Sequence, residues 1–414
     1  MKSISCSSAA EEVLARCLAG SPPKTLPRCL LEEACAPALF RIIVEGLADR
    51  FEPALCSAYA RLFASAIHFV NPEWDVPSLV ARYQRVRRPR PIIGKPRRIF
   101  VLSRVTLGAD VAVTSVLLAA LKRRFPRTEI ILAGPRKNYE LFAADRQIQH
   151  APLEYRRGSL AERLQAGYEL RRIVEEPGSI VIDPDSRLTQ LGMLPVCAEE
   201  AYYLFESRAY GAETDLSLPE LAARWAEEII GVPGAKPFVA LGRIRRTRRK
   251  RPIAVSLGVG ENPAKRIPGV FERELLTALS RTGTPLYIDK GAGGSEGERV
   301  ESVLFESGVK ATVWEGSFAG FARVIAASSL YVGYDSAGQH VAAACGIPLI
   351  SIFAGFPVHR MFDRWRPKGE ASRVIRVEQQ DPKETLAAVE EALSASMTRR
   401  APRARVLLTE NTAS

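Results

Sequence analysis

Apolar residues recur at three- and four-residue spacing through the first 80 residues, in "SAAEEVLARCLAG", "PRCLLEEACAPALFRIIVEGLADRF" and "PALCSAYARLFASAIHFV", with Pro and Gly as punctuation. That period predicts helices throughout, and residues 1–84 read as a small all-helical accessory domain. A Pro- and Arg-rich stretch, "RVRRPRPIIGKPRR" (Arg85 to Arg98), reads as a linker.

From Ile99 the pattern changes to short apolar strands alternating with amphipathic helices. "IFVLS", "EIILAG" and "SIVID" read as strands, and "VAVTSVLLAALKRRFP" and "LAERLQAGYELRRIV" as helices. The pattern restarts with strand "PIAVSLG", a helix from Gly269 to Thr282, strand "PLYID", a helix from Glu296 to Ser307, "ATVWEG", "FAGFARVIAAS", "LYVGYDS", "HVAAACG" and "PLISIF". Strands alternating with crossover helices predict parallel sheets. We therefore expect an α/β chain with two Rossmann-like doubly wound domains, 98–240 and 251–396, after the helical one. Residues 397–414 are basic and polar and read as a disordered tail. Ligands of such sheets lie beyond the carboxyl ends of the strands, which makes a cleft between the two domains the expected site.

Composition narrows the choices. A 414-residue chain with 47% hydrophobic residues is globular. Its apolar runs are broken by charge well short of the roughly 18 residues of a membrane helix, and its start lacks a signal-peptide core, so the expectation is cytoplasmic. Five of the seven cysteines fall at positions 6, 17, 29, 35 and 56 without a C-x-x-C spacing, which predicts small buried thiols and no metal or disulfide framework. A net charge of +12 favours anionic partners. The densest basic cluster, "RIRRTRRKR" (Arg243 to Arg251), has no aromatics for base stacking and reads as a solvated linker, not a nucleic-acid site.

The candidate chemistry sits where strands end. Gly108 and Asp110 follow the first strand, and Asp110 is either a helix N-cap or a general base at the cleft rim. "SLGVGENPAKRIPG" brings Gly258 and Gly260, which allow close backbone approach, next to Lys265 and Arg266, which suit phosphate oxygens. No Walker A pattern is present. G-G-S-E-G (Gly293 to Gly297) matches a nucleophile elbow, and Ser295 with Asp335 and His340 or His359 has the chain order of an α/β serine hydrolase. Its strand ends near Ile288, however, too early for an elbow. Asp183 and Asp185 form an Asp-x-Asp pair that reads more simply as a strand-end turn than as a metal site. In "GYDSAGQHVAAACG", Asp335 closes a strand while Ser336, Ala337 and Gly338 open a helix whose free N–H groups and dipole favour an anion.

Three motifs in order resemble the heptosyltransferase family, glycosyltransferase family nine: the Gly-Asp turn with a helix ending "LKRRFP", the Gly-containing loop with "KRIP", and "GYDSAGQHVAAACGIPLISIF", similar to the family's Asp-Thr-Gly-x-x-His-x-Ala-Ala. The resemblance spans Arg98 to Gln380 and implies a GT-B architecture and an inverting glycosyltransferase. Its donor would be a nucleotide-diphosphate sugar, with an ADP-sugar and heptose favoured, and its acceptor an anionic glycan or lipid-linked molecule at the inner membrane face, as in lipopolysaccharide biosynthesis. No cofactor or metal is implied. By position, Asp110 becomes the base and Lys265 a diphosphate contact. Asp335, Ser336 and His340 line the donor pocket with the backbone of 336 to 338, and Glu296 is a candidate for the ribose. The chain departs from the family in Gly-Ala-Asp, a one-residue insertion, in Asp-Ser-Ala, and in Glu261, where a hydroxyl residue is usual.

Overall fold

The structure is a computed structural model that describes residues 5–244, 250–260, 262–291, 293–369 and 371–398. Five parallel strands, β1 (Arg98–Leu102), β2 (Glu129–Gly134), β3 (Ile148–Pro152), β4 (Ile180–Asp183) and β5 (Tyr202–Leu204), form a sheet in the order β3-β2-β1-β4-β5. Six more, β6 (Ile253–Ser256), β7 (Leu286–Asp289), β8 (Thr312–Trp314), β9 (Leu330–Tyr334), β10 (Leu349–Phe353) and β11 (Ser372–Arg376), form a second in the order β11-β10-β9-β6-β7-β8. Every residue of β9 and β10 is buried, which is why they read as unbroken apolar runs: parallel strands are covered on both faces. The strand order reverses between β1 and β4 in one sheet and between β6 and β9 in the other. Those two switch points open the crevices where ligands of doubly wound sheets bind.

Alternate side chains of β1 serve two cores. Phe100 and Leu102 pack with the N-terminal helices, whereas Ile99 and Val101 pack with the helices Ser115–Arg124 and Leu218–Ile230. Between residues 6 and 86 the elements are helices and short 3-10 or π turns joined by loops, with Ser5 and Asp75 accepting the N-cap bonds of helices Cys6–Leu18 and Val76–Val86. These helices do not form an isolated core: helix Pro53–Val70 buries Tyr59, Phe63 and Ile67 in one cluster with Phe100, Leu164 and Tyr202 of the first sheet and its helices. The cluster containing Ile99 and Val101 continues into Ala254, Phe321, Tyr331 and Val341, so the two sheet domains share apolar packing as well.

Two expectations are corrected. Cys6 and Cys35 form a disulfide across 29 residues, a pairing that no spacing rule exposes, while Cys17 and Cys56 are the buried thiols expected. The stretch Arg85 to Arg98 is not a free linker: helix Val76–Val86 enters it, Arg90 donates to the carbonyls of Glu200 (2.9 Å) and Tyr202 (2.7 Å), and Ile92 N donates to Ile229 O (2.9 Å). Of the basic cluster Arg243 to Arg251, residues 245–249 lie outside the described residues; Lys250 donates to Gly283 O and Arg251 to Ala327 O. Helix Pro382–Thr398 runs two residues into the stretch read as a tail, and 399–414 lie outside the described residues, as does Glu261. Among the described residues no helix is long and apolar enough to cross a membrane.

Candidate functional site

At the second switch point, the loop leaving β6 turns left-handed at Gly260 (φ 63°) and enters a short 3-10 turn, Pro263–Lys265, fixed by Asn262 Oδ1 accepting from Ala264 N. This sets Lys265 Nζ 2.6 Å from Asp335 Oδ2, at the end of β9. Asp335 is buried, and its other oxygen accepts from Gln339 Nε2, one helical turn on; Gln339 Oε1 in turn accepts from Ser351 Oγ on β10. The carboxylate is thus held by two side chains, one of them braced from β10. Gln339 and Ser351 are site residues that the sequence reading missed, although the i,i+4 spacing of Asp335 and Gln339 marked the first.

Ser336 caps the helix Ala337–Ala344 in extended conformation, and Tyr331 Oη lies 3.5 Å from its hydroxyl. A side chain at 338 would strike Tyr331, its Cβ falling 2.3 Å from the phenol oxygen, so the close approach of helix to strand requires glycine. Glu296, in the first turn of helix Gly294–Ser307, lies over the β6 loop: a Cβ on Gly258 would stand 2.9 Å from its Oε1. Lys265, Asp335, Ser336, Ala337, Gly338, His340, Gly258 and Glu296 are therefore brought to one end of the sheet. Arg266 is not: its Nε pairs with Glu272 (3.3 Å), a buried carboxylate that also binds Arg299.

Asp110 is placed differently from the rim position expected. Its side chain is fully buried and all its bonding directions are filled: Oδ1 accepts from Arg104 N (2.7 Å) and Thr114 Oγ1 (2.6 Å), and Oδ2 from Ser103 Oγ (2.5 Å) and Asn138 Nδ2 (2.6 Å). It therefore braces the turn after β1 and does not cap its own helix. Burial raises its pKa, and the four donors oppose that shift. Asp110–Thr114 forms a π turn, wider than an α-helix, ahead of helix Ser115–Arg124, whose apolar face is buried.

Nor is there a gap between the domains at this point. The turn Leu107–Ala109 lies against helix Ala337–Ala344, and a Cβ on Gly108 would stand 3.1 Å from His340 Cδ2 and 3.2 Å from Ala337 Cα. His340 is buried there beside Trp365, and burial drops its pKa to about 4, so it is neutral at pH 7. Arg364, fully buried, donates to the carbonyls of Gly211 and Leu216 in the first domain and fastens the other side.

The remaining candidates stay apart. Ser295 is exposed, and no hydrogen bond joins it to a histidine among the described residues; Asp335 is engaged by Lys265 and Gln339, and His359 by Arg376 and Asp363. A serine triad is not assembled. Asp183 accepts from Ser186 N, Thr189 and Tyr202, and burial raises it to about 6, while Asp185 pairs with Ser207 and Arg208. No group of three or more metal-ligating side chains occurs among the described residues.

Residues 195–392 match glycosyltransferase family 9 (heptosyltransferase). The match contains the Lys265–Asp335 site and stops short of Asp110. The fold is similar to that of E. coli heptosyltransferase WaaC with ADP-2-deoxy-2-fluoro heptose (TM-score 0.54, 16% identity, 72% of this chain and 99% of that one). It is also similar to E. coli ADP-heptose lps heptosyltransferase II (0.51, 19%, 72% and 99%) and to the glycosyl transferase family 9 from Veillonella parvula DSM 2008 (0.54, 15%, 73% and 98%). No curated protein matches the chain.

Proposed function

This chain carries a glycosyltransferase family 9 domain and resembles the heptosyltransferases, and from that premise we propose that it moves a sugar from a nucleotide-diphosphate sugar to a hydroxyl of an anionic glycan or lipid-linked acceptor, with inversion at the anomeric carbon. The observation that carries this reading is the Lys265–Asp335 pair, set at the switch point of the second sheet beside the N-terminus of helix Ala337–Ala344. A lysine ammonium has three donors, so Lys265 can keep one on Asp335 and direct others to phosphate oxygens. Backbone N–H groups of 336 to 338 and the helix dipole add to the same anion site. Glu296 is the group we assign to the ribose hydroxyls. ADP is the nucleotide and heptose the sugar favoured by analogy with the WaaC structures that hold ADP and an ADP-heptose analogue.

In the reaction we propose, the acceptor oxygen forms the new bond to the anomeric carbon as the bond to the diphosphate breaks, and the hydroxyl proton passes to Asp110. No covalent intermediate, metal or cofactor enters the scheme. Asp110 holds four donors, so this step requires the hydroxyl of Ser103 or Thr114 to turn aside as Gly108 parts from Ala337. Residues 98–240 form the acceptor side and 251–396 the donor side. The net charge of +12 suits an acceptor in an acidic membrane surface, as at the cytoplasmic face where lipopolysaccharide precursors are built. A thermal-shift screen with ADP-, GDP-, UDP- and CMP-sugars tests the reading: stabilisation by one nucleotide class, lost in Lys265→Ala, supports it, and stabilisation by none overturns it.

A further inference from the structure

The disulfide between Cys6 and Cys35 joins two helix starts. Cys6 is the first residue of helix Cys6–Leu18, and Cys35 precedes the helical run 36–48, whose middle is the π segment Leu39–Val44. The free N–H groups at a helix start carry partial positive charge, and a thiolate placed there is stabilised. Both sulfurs lie at such ends, so opening the bond leaves each thiolate in a favourable field. Stabilising the reduced form in this way makes a disulfide easier to reduce.

Access points the same way. Cys6 is partly exposed and its neighbours Ser7 and Ser8 are exposed, whereas Cys35 is buried. An incoming thiolate therefore reaches the Cys6 sulfur from solvent, and Cys35 is the leaving sulfur.

The bond also carries much of the hold on its helix. Helix Cys6–Leu18 buries Ala9, Ala10, Val13 and Cys17, of which only Val13 is a sizeable aliphatic side chain. Leu14 adds a contact over Gly46, where a Cβ would stand 2.9 Å from Leu14 Cδ2. Apolar stabilisation scales with buried area, and small residues supply little of it. Helix Pro53–Val70, by contrast, buries Leu55, Tyr59, Leu62, Phe63 and Ile67 and is held by packing alone.

We propose that Cys6–Cys35 is a redox latch: a dithiol reductant opens the bond, and helix Cys6–Leu18 leaves its seat while helix Pro53–Val70 and the sheets stay folded. One thiolate of the dithiol attacks Cys6 Sγ, a mixed disulfide forms, and Cys35 departs as a thiolate. The second thiolate of the dithiol then attacks the reductant sulfur of that mixed disulfide and releases Cys6. Two electrons pass from the dithiol, which becomes a disulfide, and its two protons pass to the cysteine thiols. A low-molecular-weight disulfide reverses the exchange. The latch acts whatever reaction the switch-point site performs.

The test takes the full chain, equilibrates it with dithiothreitol or glutathione disulfide, then denatures it in N-ethylmaleimide and counts labels by intact mass. The oxidised protein should carry five, on Cys17, Cys29, Cys56, Cys197 and Cys345. The reduced protein should carry seven, one for each cysteine. Reduction should be complete without denaturant at about 1 mM dithiothreitol. Hydrogen exchange across 9–17 should then quicken at least about tenfold while 58–67 stays protected. Cys6→Ser and Cys35→Ser should each give that exchange pattern without reductant, and Cys29→Ser should keep the bond. Seven labels after oxidation would overturn the proposal, as would a bond that opens only in denaturant. So would a helix as protected in the reduced protein as in the oxidised one, or loss of protection that spreads through 58–67, which would make the bond a staple of the whole module.

Discussion

Lys265 Nζ stands 2.6 Å from Asp335 Oδ2, joining the turn after β6 to the end of β9 through a pair in which the lysine side chain is 18% exposed and the aspartate 6%. Replacing Lys265 by Ala leaves Asp335 with Gln339 as its remaining side-chain partner. The expected cost is about 1–3 kcal/mol of stability, and ADP affinity should fall at least about tenfold. Arg266→Ala, whose side chain serves Glu272, should leave ADP binding within about twofold. Calorimetric titration of the two variants separates the neighbouring cations; equal losses would show that Arg266 reaches the ligand.

Asn138 donates at 2.6 Å to the buried carboxylate of Asp110. Its removal in Asn138→Ala deletes one of four bonds to the charged form, so the Asp110 pKa should rise further, with about 1–3 kcal/mol of stability lost. Because a base is inactive when protonated, the acid limb of the transfer rate should move to higher pH. A limb that stays in place while stability drops would assign Asn138 to folding alone, and full transfer activity in Asp110→Asn would remove Asp110 from the chemistry.

Gly108 touches the second domain where a methyl group has no room, with Ala337 Cα 3.2 Å from the Cβ position. Gly108→Ala should cost about 1–3 kcal/mol by forcing the turn off the helix. Hydrogen exchange should then rise in 337–344, and a variant as protected as the parent would mean that the turn moves freely.

Glu206 lies buried between Arg87 (2.8 Å) and Tyr83 Oη, and burial raises its pKa to about 7 against the lowering by Arg87. A carboxyl whose pKa is raised on folding favours the folded state when protonated. Its contribution is fully present below the ordinary glutamate range, about 4.3, and is lost as pH rises through about 7. The unfolding free energy measured in urea should therefore decline between about pH 5 and 8 with a slope of at most about 1.4 kcal/mol per pH unit from this group, and Glu206→Gln should flatten that decline. An identical pH dependence in the variant would show that other groups set it.

Much of the candidate site on the second sheet was legible in the chain because it is built from local pattern. The apolar runs of β9 and β10 announced fully buried parallel strands, and a polar residue at a strand end followed by small residues marked a helix start at Ser336. Asp335, His340, Lys265, Glu296 and Gly258 fell together because each follows the carboxyl end of a strand, and strand order gathers those ends. β3, β5, β11 and helix Leu218–Ile230 escaped the reading: all three strands lie at sheet edges, β3 and β11 are only partly buried, and β5 spans only Tyr202–Leu204.

Local pattern along the chain specified the alternation of strands and helices, the two sheets and the end of the second where the candidate residues gather. The tertiary structure decided which groups are free to act, because partners distant along the chain set burial and pairing. It turned Asp110 inward onto Ser103, Asn138 and Thr114, gave Arg266 to Glu272, closed Gly108 on Ala337, and joined Cys6 to Cys35. The π turn Asp110–Thr114 shows the difference: no residue type announces it, because it depends on where the helix after it must pack. The buried apolar face of Ser115–Arg124 holds that helix in place, so the widening falls at Asp110.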